Sequence, residues 1–329
     1  MSCVAIFGAG SWGTTLAVHL ANAGHQVRIW GNDRAELDAI ERDRENAKFL
    51  AGIRLPDGVK VQPQLDAALE GADFHVYGVP SQAVRAVAEQ VAAFGTGAIP
   101  ICASKGLELG TLRRLSEVLT EALGDSSPVI LTGPSHAEEV AVGIPTSIVA
   151  ACVDETRARK VQMLCATPRL RVYTNSDLIG CEYGGALKNV IAIAAGVCDG
   201  LGYGDNTKGA LLTRGLTEIA RLGVTMGGRR ETFFGLTGMG DLIATAMSRH
   251  SRNRHVGERL GKGETIEQIL GGMVMVAEGV NTARAARDLA RSRGIEMPIT
   301  EQVCEVLLEK RAPKEAMLAL MTRDLRSES

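Results

Sequence analysis

Short apolar runs alternate with amphipathic stretches through the first half of the chain. Residues 4–7 form a run with the length and composition of a buried strand. Residues 11–22 then carry a helical period and end near Gly24, and 27–30 is a second strand-like run. Asp33, with Glu36 three residues on, has the spacing of a helix capping box. Further strand-like runs fall at 74–79, 98–103, 129–132 and 146–150, and helical patterns fall between several of them, at 82–91 and 112–123. Strands that alternate with helices predict parallel βαβ units and hence a doubly wound α/β sheet.

Past about residue 180 the strand-like runs stop. Residues 186–197 are apolar on nearly every face, which predicts a buried core helix. Leu212, Leu216 and Ile219 recur at helical spacing, and 264–270, 277–293 and 301–309 also read as helices. The expected organisation is a dinucleotide-binding sheet domain over 1–180 and a helical substrate-binding domain over 181–329. With no Pro- or Ser-rich linker between them, the two are expected to pack tightly.

A length of 329 residues suits about two domains. A net charge of −2 argues against a protein built to neutralise nucleic-acid phosphates, and 4% aromatic residues against a stacking platform for single strands. No basic, apolar leader opens the chain, and the most apolar run, 190–197, is too short to span a bilayer. The seven cysteines are scattered, with no C-x-x-C pair. That pattern predicts no zinc site and fits free thiols in a reducing cytosol.

The chemistry begins at Gly8-Ala9-Gly10-Ser11-Trp12-Gly13, a G-x-G-x-x-G turn between a strand and a helix. Gly8 permits the turn, Gly10 lets a pyrophosphate approach the backbone, and Gly13 lets helix and strand pack. The helix N-terminus then offers free N–H groups to the phosphates. Asp33 stands twenty residues beyond the last glycine, where an acid binds ribose hydroxyls, or it serves only as a helix cap. With Asn32, Asp33 and Arg34 adjacent, the cofactor reads as NAD or NADP. Val79-Pro80-Ser81-Gln82 closes the strand expected across the crevice, at the topological switch point.

Lys188 opens the apolar helix after two glycines, Gly184 and Gly185, which would let a cofactor ring approach the backbone. It either snorkels to solvent or is held in a site, where desolvation would tune it for acid/base chemistry. Lys105 follows a strand at the carboxyl end of the sheet, as a ligand contact or as a solvated loop lysine. His136, in Gly133-Pro134-Ser135-His136, is a rival general base. The cluster Arg249-His250-Ser251-Arg252-Asn253-Arg254 interleaves cations with neutral donors, which suits one small phosphate ester. Upstream, residues 235–241 read as a flexible loop ending in Asp241, which orients Lys188 or caps the next helix.

Taken in order, these blocks resemble the bacterial-type NAD(P)-dependent glycerol-3-phosphate dehydrogenase family nearly end to end. The resemblance rests on the glycine turn through Thr14, Val79-Pro80-Ser81-Gln82, Ser104-Lys105-Gly106 and Gly133-Pro134-Ser135. It continues through Gly185-Ala186-Leu187-Lys188-Asn189-Val190, Gly238-Met239-Gly240-Asp241, Ser251-Arg252-Asn253-Arg254 and Val276-Ala277-Glu278-Gly279. It implies a Rossmann-like doubly wound parallel sheet followed by an all-helical C-terminal domain, with the site between them. It implies reduction of dihydroxyacetone phosphate to sn-glycerol 3-phosphate for glycerophospholipid synthesis, by a soluble cytoplasmic enzyme, often a homodimer. The position matching Lys188 is the proton donor and acceptor, with Asp241 and Lys105 as its catalytic companions. Lys105, Gly133, Ser135, Lys188, Asp241, Ser251, Arg252 and Asn253 match substrate contacts. Ser11, Trp12, Asn32, Lys105, Ala137, Arg252, Val276 and Glu278 match cofactor contacts, joined by Gly8, Gly10, Gly13 and Asp33 from the turn. Two departures stand out: Asn32 replaces a frequent His or Arg, and 245–248 replaces a segment that usually carries a cysteine and threonines. The alternatives are a β-hydroxyacid or 6-phosphogluconate type dehydrogenase and a non-catalytic dinucleotide sensor.

Overall fold

The computed structural model describes residues 1–329 apart from 96, 125, 126, 326, 328 and 329. Eight strands form one sheet: β1 (Cys3–Phe7), β2 (Gln26–Trp30), β3 (Val59–Val61), β4 (Phe74–Tyr77), β5 (Ile99–Cys102), β6 (Val129–Thr132), β7 (Thr146–Ala151) and β8 (Leu170–Asn175). Their spatial order is β3-β2-β1-β4-β5-β6-β7-β8. The order reverses beside β1, which pairs in parallel with β2 through Val4 and Val27 and with β4 through Val4 and Phe74. That reversal opens the crevice at the carboxyl ends of β1 and β4. The central strands β1, β4 and β6 are buried along almost their whole length because helices cover both faces of the sheet.

Three features differ from the sequence reading. β7 runs antiparallel to β6, so the sheet is mixed rather than wholly parallel. β3 has only three residues, too few to carry a pattern. β8 lies at the edge with Leu170 and Val172 buried and Arg171 and Tyr173 exposed, so its apolar signal is halved.

From Leu178 onward the described chain is helical. Its axis is the 23-residue helix Leu178–Gly200, buried along almost its whole length. This helix is long and apolar enough to cross a membrane, more so than 190–197 suggested, but 94% of its most apolar window is buried inside the fold. It is the core helix the apolar pattern predicts. The helix Arg252–Gly261 crosses it in direct backbone contact. A Cβ at Gly196 would stand 2.0 Å from the Arg254 carbonyl oxygen, and one at Gly257 1.9 Å from that of Ile193. Only glycines allow this approach, which brings the start of the Arg252 helix down onto Lys188 and Asn189.

Candidate active site

A cleft of about 460 Å³ runs along the carboxyl edge of the sheet and is closed on its far side by the helical half. At one end lies the glycine turn. Gly8 has φ of +109°, and a Cβ there would stand 2.8 Å from the Gly78 carbonyl oxygen, across the switch point. A Cβ on Gly13 would stand 2.0 Å from the Gly8 carbonyl oxygen, so helix and strand touch as the motif requires. Gly10 differs: a Cβ there would meet nothing within 4 Å, so the space beside it belongs to the cleft. Gly10 also supplies no side-chain cap to the helix Ser11–Asn22, whose first N–H groups are left for a ligand. These observations fit a dinucleotide pyrophosphate. Asn32 and Asp33 line the same end, but the Asp33 carboxylate accepts from the Glu36 N–H at 3.1 Å, so it does cap the helix Arg34–Asp43. Arg34 is turned onto Asp38 at 2.9 Å.

Deeper in the cleft, one carboxylate joins two lysines. Asp241 Oδ2 accepts from Lys105 Nζ at 2.7 Å, and Asp241 Oδ1 lies 3.0 Å from Lys188 Nζ. Lys188 also donates to Thr245 Oγ1 at 2.6 Å, and that hydroxyl donates to Asp241 Oδ1 at 3.2 Å. Lys105 donates a second bond to the Gly133 carbonyl at 2.8 Å, which Ser135 Oγ shares at 3.0 Å. Lys188 is 6% exposed and Asp241 2%, so neither snorkels to solvent. Burial pushes the Lys188 ammonium down to about 8, with the Lys105 charge acting the same way and Asp241 opposing. Burial raises the Asp241 carboxyl, but the two lysines outweigh it and hold it below its ordinary range. The result is a charged carboxylate that fixes a lysine poised near neutral pH.

At the other wall, Ser251 caps the helix Arg252–Gly261 by accepting from the Arg254 N–H at 3.1 Å. Asn253 donates to Asn189 Oδ1 at 2.9 Å and accepts from the Gly279 N–H at 2.9 Å, which locks that helix to the Lys188 helix. Arg254 is committed to Asp199 at 2.7 Å. Arg252 faces the cleft without a hydrogen bond or ion pair to any described residue, and burial holds its pKa below the ordinary value. An arginine still carries its charge there, so an unpaired guanidinium beside a helix N-terminus makes an anion site. Glu278 bridges the halves by accepting from the Ser81 N–H at 2.9 Å and from Ser81 Oγ at 2.5 Å.

Of the residues matched to substrate or cofactor contacts, all but two line this one cleft; Gly13 and Gly133 lie behind its wall, as spacer and as carbonyl acceptor. His136 also lines it, but its ring meets the Ala244 carbonyl at 3.3 Å, and burial, then the two lysines, lowers its pKa. It neighbours the array as a neutral imidazole whose hydrogen bond goes to a backbone carbonyl, whereas Lys188 is the group held by Asp241. The role expected of Gly184 and Gly185 is different in the structure. Their Cβ positions would lie 2.8 Å from the Thr237 carbonyl oxygen and 2.7 Å from Thr132 Oγ1, so they admit protein neighbours and not a cofactor ring. Residues 236–240 form a π-helical turn that leads directly into the helix Asp241–Met247, in place of a flexible loop. That helix shows what the sequence reading missed: Thr245, four residues after Asp241, shares its face and meets Lys188. Asn189 was likewise missed, though it adjoins Lys188 in sequence.

A phosphate-binding glycine turn that shares a cleft with a buried lysine–carboxylate–lysine array defines a dinucleotide-dependent dehydrogenase. Comparison with known proteins narrows the class. Residues 3–158 match the family model of the NAD-dependent glycerol-3-phosphate dehydrogenase N-terminus, and 177–318 that of its C-terminus. The chain is 50% identical over 330 residues to glycerol-3-phosphate dehydrogenase (NAD(P)+) of Desulfitobacterium hafniense (strain Y51), covering 100% of this chain and 93% of that one. It is 49% identical over 332 residues to the enzyme of the same name from Geobacillus kaustophilus (strain HTA426), covering 100% and 96%. The crystal structure of glycerol-3-phosphate dehydrogenase from Coxiella burnetii superposes with a TM-score of 0.95 at 37% identity, covering 98% of this chain and 99% of that one. The chain belongs to the NAD-dependent glycerol-3-phosphate dehydrogenase family.

Proposed function

We propose that the chain interconverts dihydroxyacetone phosphate and sn-glycerol 3-phosphate with NAD or NADP, in the cytoplasm, and so supplies the backbone of glycerophospholipids. In this reading residues 1–180 hold the nucleotide and 181–329 the substrate. The observation that carries it is the pairing of Lys188, buried against Asp241 and Thr245, with the unpaired Arg252 in the same cleft. The first supplies acid/base chemistry at an alcohol or ketone oxygen, and the second supplies charge for a phosphate ester.

The residues at the glycine turn suit the nucleotide, which when bound gives or takes the hydride at the substrate's C2. The chain's own groups do the rest. Arg252, with the N–H groups at the start of its helix, holds the phosphate, and binding energy from that remote group places C2. Lys188 as ammonium stabilises and protonates the oxygen that gains charge during ketone reduction; as amine it takes the proton back in the reverse direction. Asp241 keeps the lysine aimed, and Lys105 adds a second positive charge beside the same oxygen.

The test is loss of NADH and NADPH absorbance with dihydroxyacetone phosphate, run beside unphosphorylated dihydroxyacetone. Rapid oxidation with the phosphorylated ketone alone is expected, and the faster nucleotide settles the preference. Turnover of a β-hydroxyacid in place of the phosphate ester would refute the proposal.

A further inference from the structure

Lys105 follows β5 in the sheet half, yet its carboxylate partner Asp241 lies in the helical half. The segment after Lys105 is tied to both. Gly106 passes so close to Ser81 that a Cβ would stand 2.7 Å from the Ser81 Cβ. Leu107 is fully buried and belongs to the apolar core of the helical half, together with Tyr183, Leu187 and Val190 of the Lys188 helix. Leu109 and Leu112 pack on the same core. Leu112 holds φ of +59°, a left-handed conformation that a branched side chain keeps only where its surroundings enforce it. Gln82 clamps the turn by donating to the Leu107 carbonyl at 2.8 Å and accepting from the Leu109 N–H at 2.9 Å. At the far end Arg114 donates to Glu182 at 2.6 Å, and the Ser116 N–H donates to the same carboxylate at 2.8 Å. Glu182 lies on the Lys188 helix, less than two turns before Lys188.

We propose that residues 105–116 form a brace that fixes Lys105 relative to Lys188, and that Leu107 is its positioning residue. The lysine–carboxylate–lysine array is thereby assembled before any ligand arrives. A lysine on an exposed loop would pay the entropy of ordering when substrate binds; here the leucines and the Glu182 contacts have ordered it already. Nothing in the apolar packing of Leu107 touches substrate, so its effect on the reaction passes through Lys105.

The inference rests on the reading of Lys188 and Lys105 as the working pair, and its test separates the two. The amine of Lys188 is titrated by competitive acetylation with acetic anhydride across pH, read by mass spectrometry, in the whole protein. Lys105→Met removes the neighbouring charge directly, and Leu107→Ala releases it; each is expected to raise the Lys188 midpoint by about one pH unit. Leu107→Ala also lowers kcat about tenfold or more while the KM for nucleotide stays within about twofold. Leu107→Met restores both, because it nearly conserves volume. Leu119→Ala, the same truncation at a fully buried site in the sheet half, lowers stability without moving the Lys188 midpoint. Gln82→Ala, at an exposed position, repeats the test by cutting the clamp, together with a 3.1 Å bond to Ser81 Oγ, and shifts the midpoint in the same direction. A midpoint that moves in Lys105→Met but not in folded Leu107→Ala or Gln82→Ala overturns the brace. One that moves in none of them overturns the reading of the array itself.

Discussion

Replacing Lys188 by Met should make the protein more stable and nearly inactive, and the size of the gain follows from its surroundings. The ammonium is 6% exposed and titrates at about 8, against 10.5 for an unburied lysine. That difference corresponds to about 3 kcal/mol of stability withheld at neutral pH, where Lys188 is charged in both folded and unfolded chains. Methionine fills a similar volume without the charge, so Lys188→Met recovers a large part of it. The sign with pH is fixed by proton counts. Between about pH 8 and 10.5 the unfolded chain holds the lysine proton and the folded chain has released it, so wild-type stability rises across that window. The advantage of the variant is therefore full below pH 8 and shrinks to nothing above 10.5. Urea unfolding at pH 7.0, 8.5 and 9.5 measures both curves, and turnover with dihydroxyacetone phosphate should fall by about 10²–10⁴. A variant that loses stability at pH 7, or whose offset from wild type is the same at all three pH values, would refute this account of Lys188.

Three further outcomes are expected. Arg252→Ala deletes the unpaired cation of the cleft, so the KM for the phosphate ester should rise by about 10- to 100-fold, the worth of charge-assisted hydrogen bonds, while any residual turnover of unphosphorylated dihydroxyacetone is unchanged. Gly13→Ala places a Cβ 2.0 Å from the Gly8 carbonyl oxygen, which the turn cannot absorb; nucleotide binding by fluorescence titration should be lost along with thermal stability. Glu218, 3% exposed, accepts from the Ile299 and Thr300 N–H groups at 2.7 and 3.2 Å, and burial pushes its carboxyl up to about 7. The folded chain then keeps a proton that the unfolded chain has lost, so stability falls from about pH 4.5 to 7. Glu218→Gln should flatten that fall in denaturation curves.

The parts of this fold that were legible in the sequence are those with a local signal. β1, the glycine turn and the helix after it are adjacent in the chain, and Asp33 with Glu36 announced a helix start that the structure confirms. The apolar run at 186–197 marked a core helix but understated it, because Gly180, Gly184 and Gly185 lower the pattern before Lys188 without breaking the helix. What could not be read was set by partners distant in sequence. Asp241 meets Lys188 only because a π-helical turn brings it there, and a glycine-rich stretch such as 235–240 looks like a mobile loop until the Phe233 backbone is seen to pass against Gly238. The cluster 249–254 gave its charge but not its geometry. Ser251 turns it into a capped helix, Asp199 takes Arg254, and Arg252 is left for the cleft. Which arginine is free was decided by an aspartate on another helix.

The arrangement of charge in the cleft explains how one lysine serves both directions of the reaction. Asp241 is shared by two lysines, and Arg252 makes no ion pair with a described residue, although Glu278 and Glu138 are near enough to act on its charge. Two lysines around one carboxylate, with Arg252 on the facing wall, give an anion several cationic partners at this end of the cleft. Before the anion arrives, burial and Lys105 keep Lys188 near its midpoint at about pH 8, so amine and ammonium are both accessible close to neutral pH. A phosphate ester brought beside these cations favours the protonated form, since a nearby negative charge raises a cation's pKa. Substrate thus recharges Lys188 as the acid that ketone reduction needs. In the oxidation direction the same phosphate is present, and it is burial that keeps the amine form more accessible than in an exposed lysine. A lysine left in solvent near 10.5 would be a weaker acid and almost never a base. Burial, which Asp241 only partly offsets, is therefore what keeps both acid and base forms of Lys188 accessible near neutral pH, and the stability it withholds is the cost that Lys188→Met would reveal.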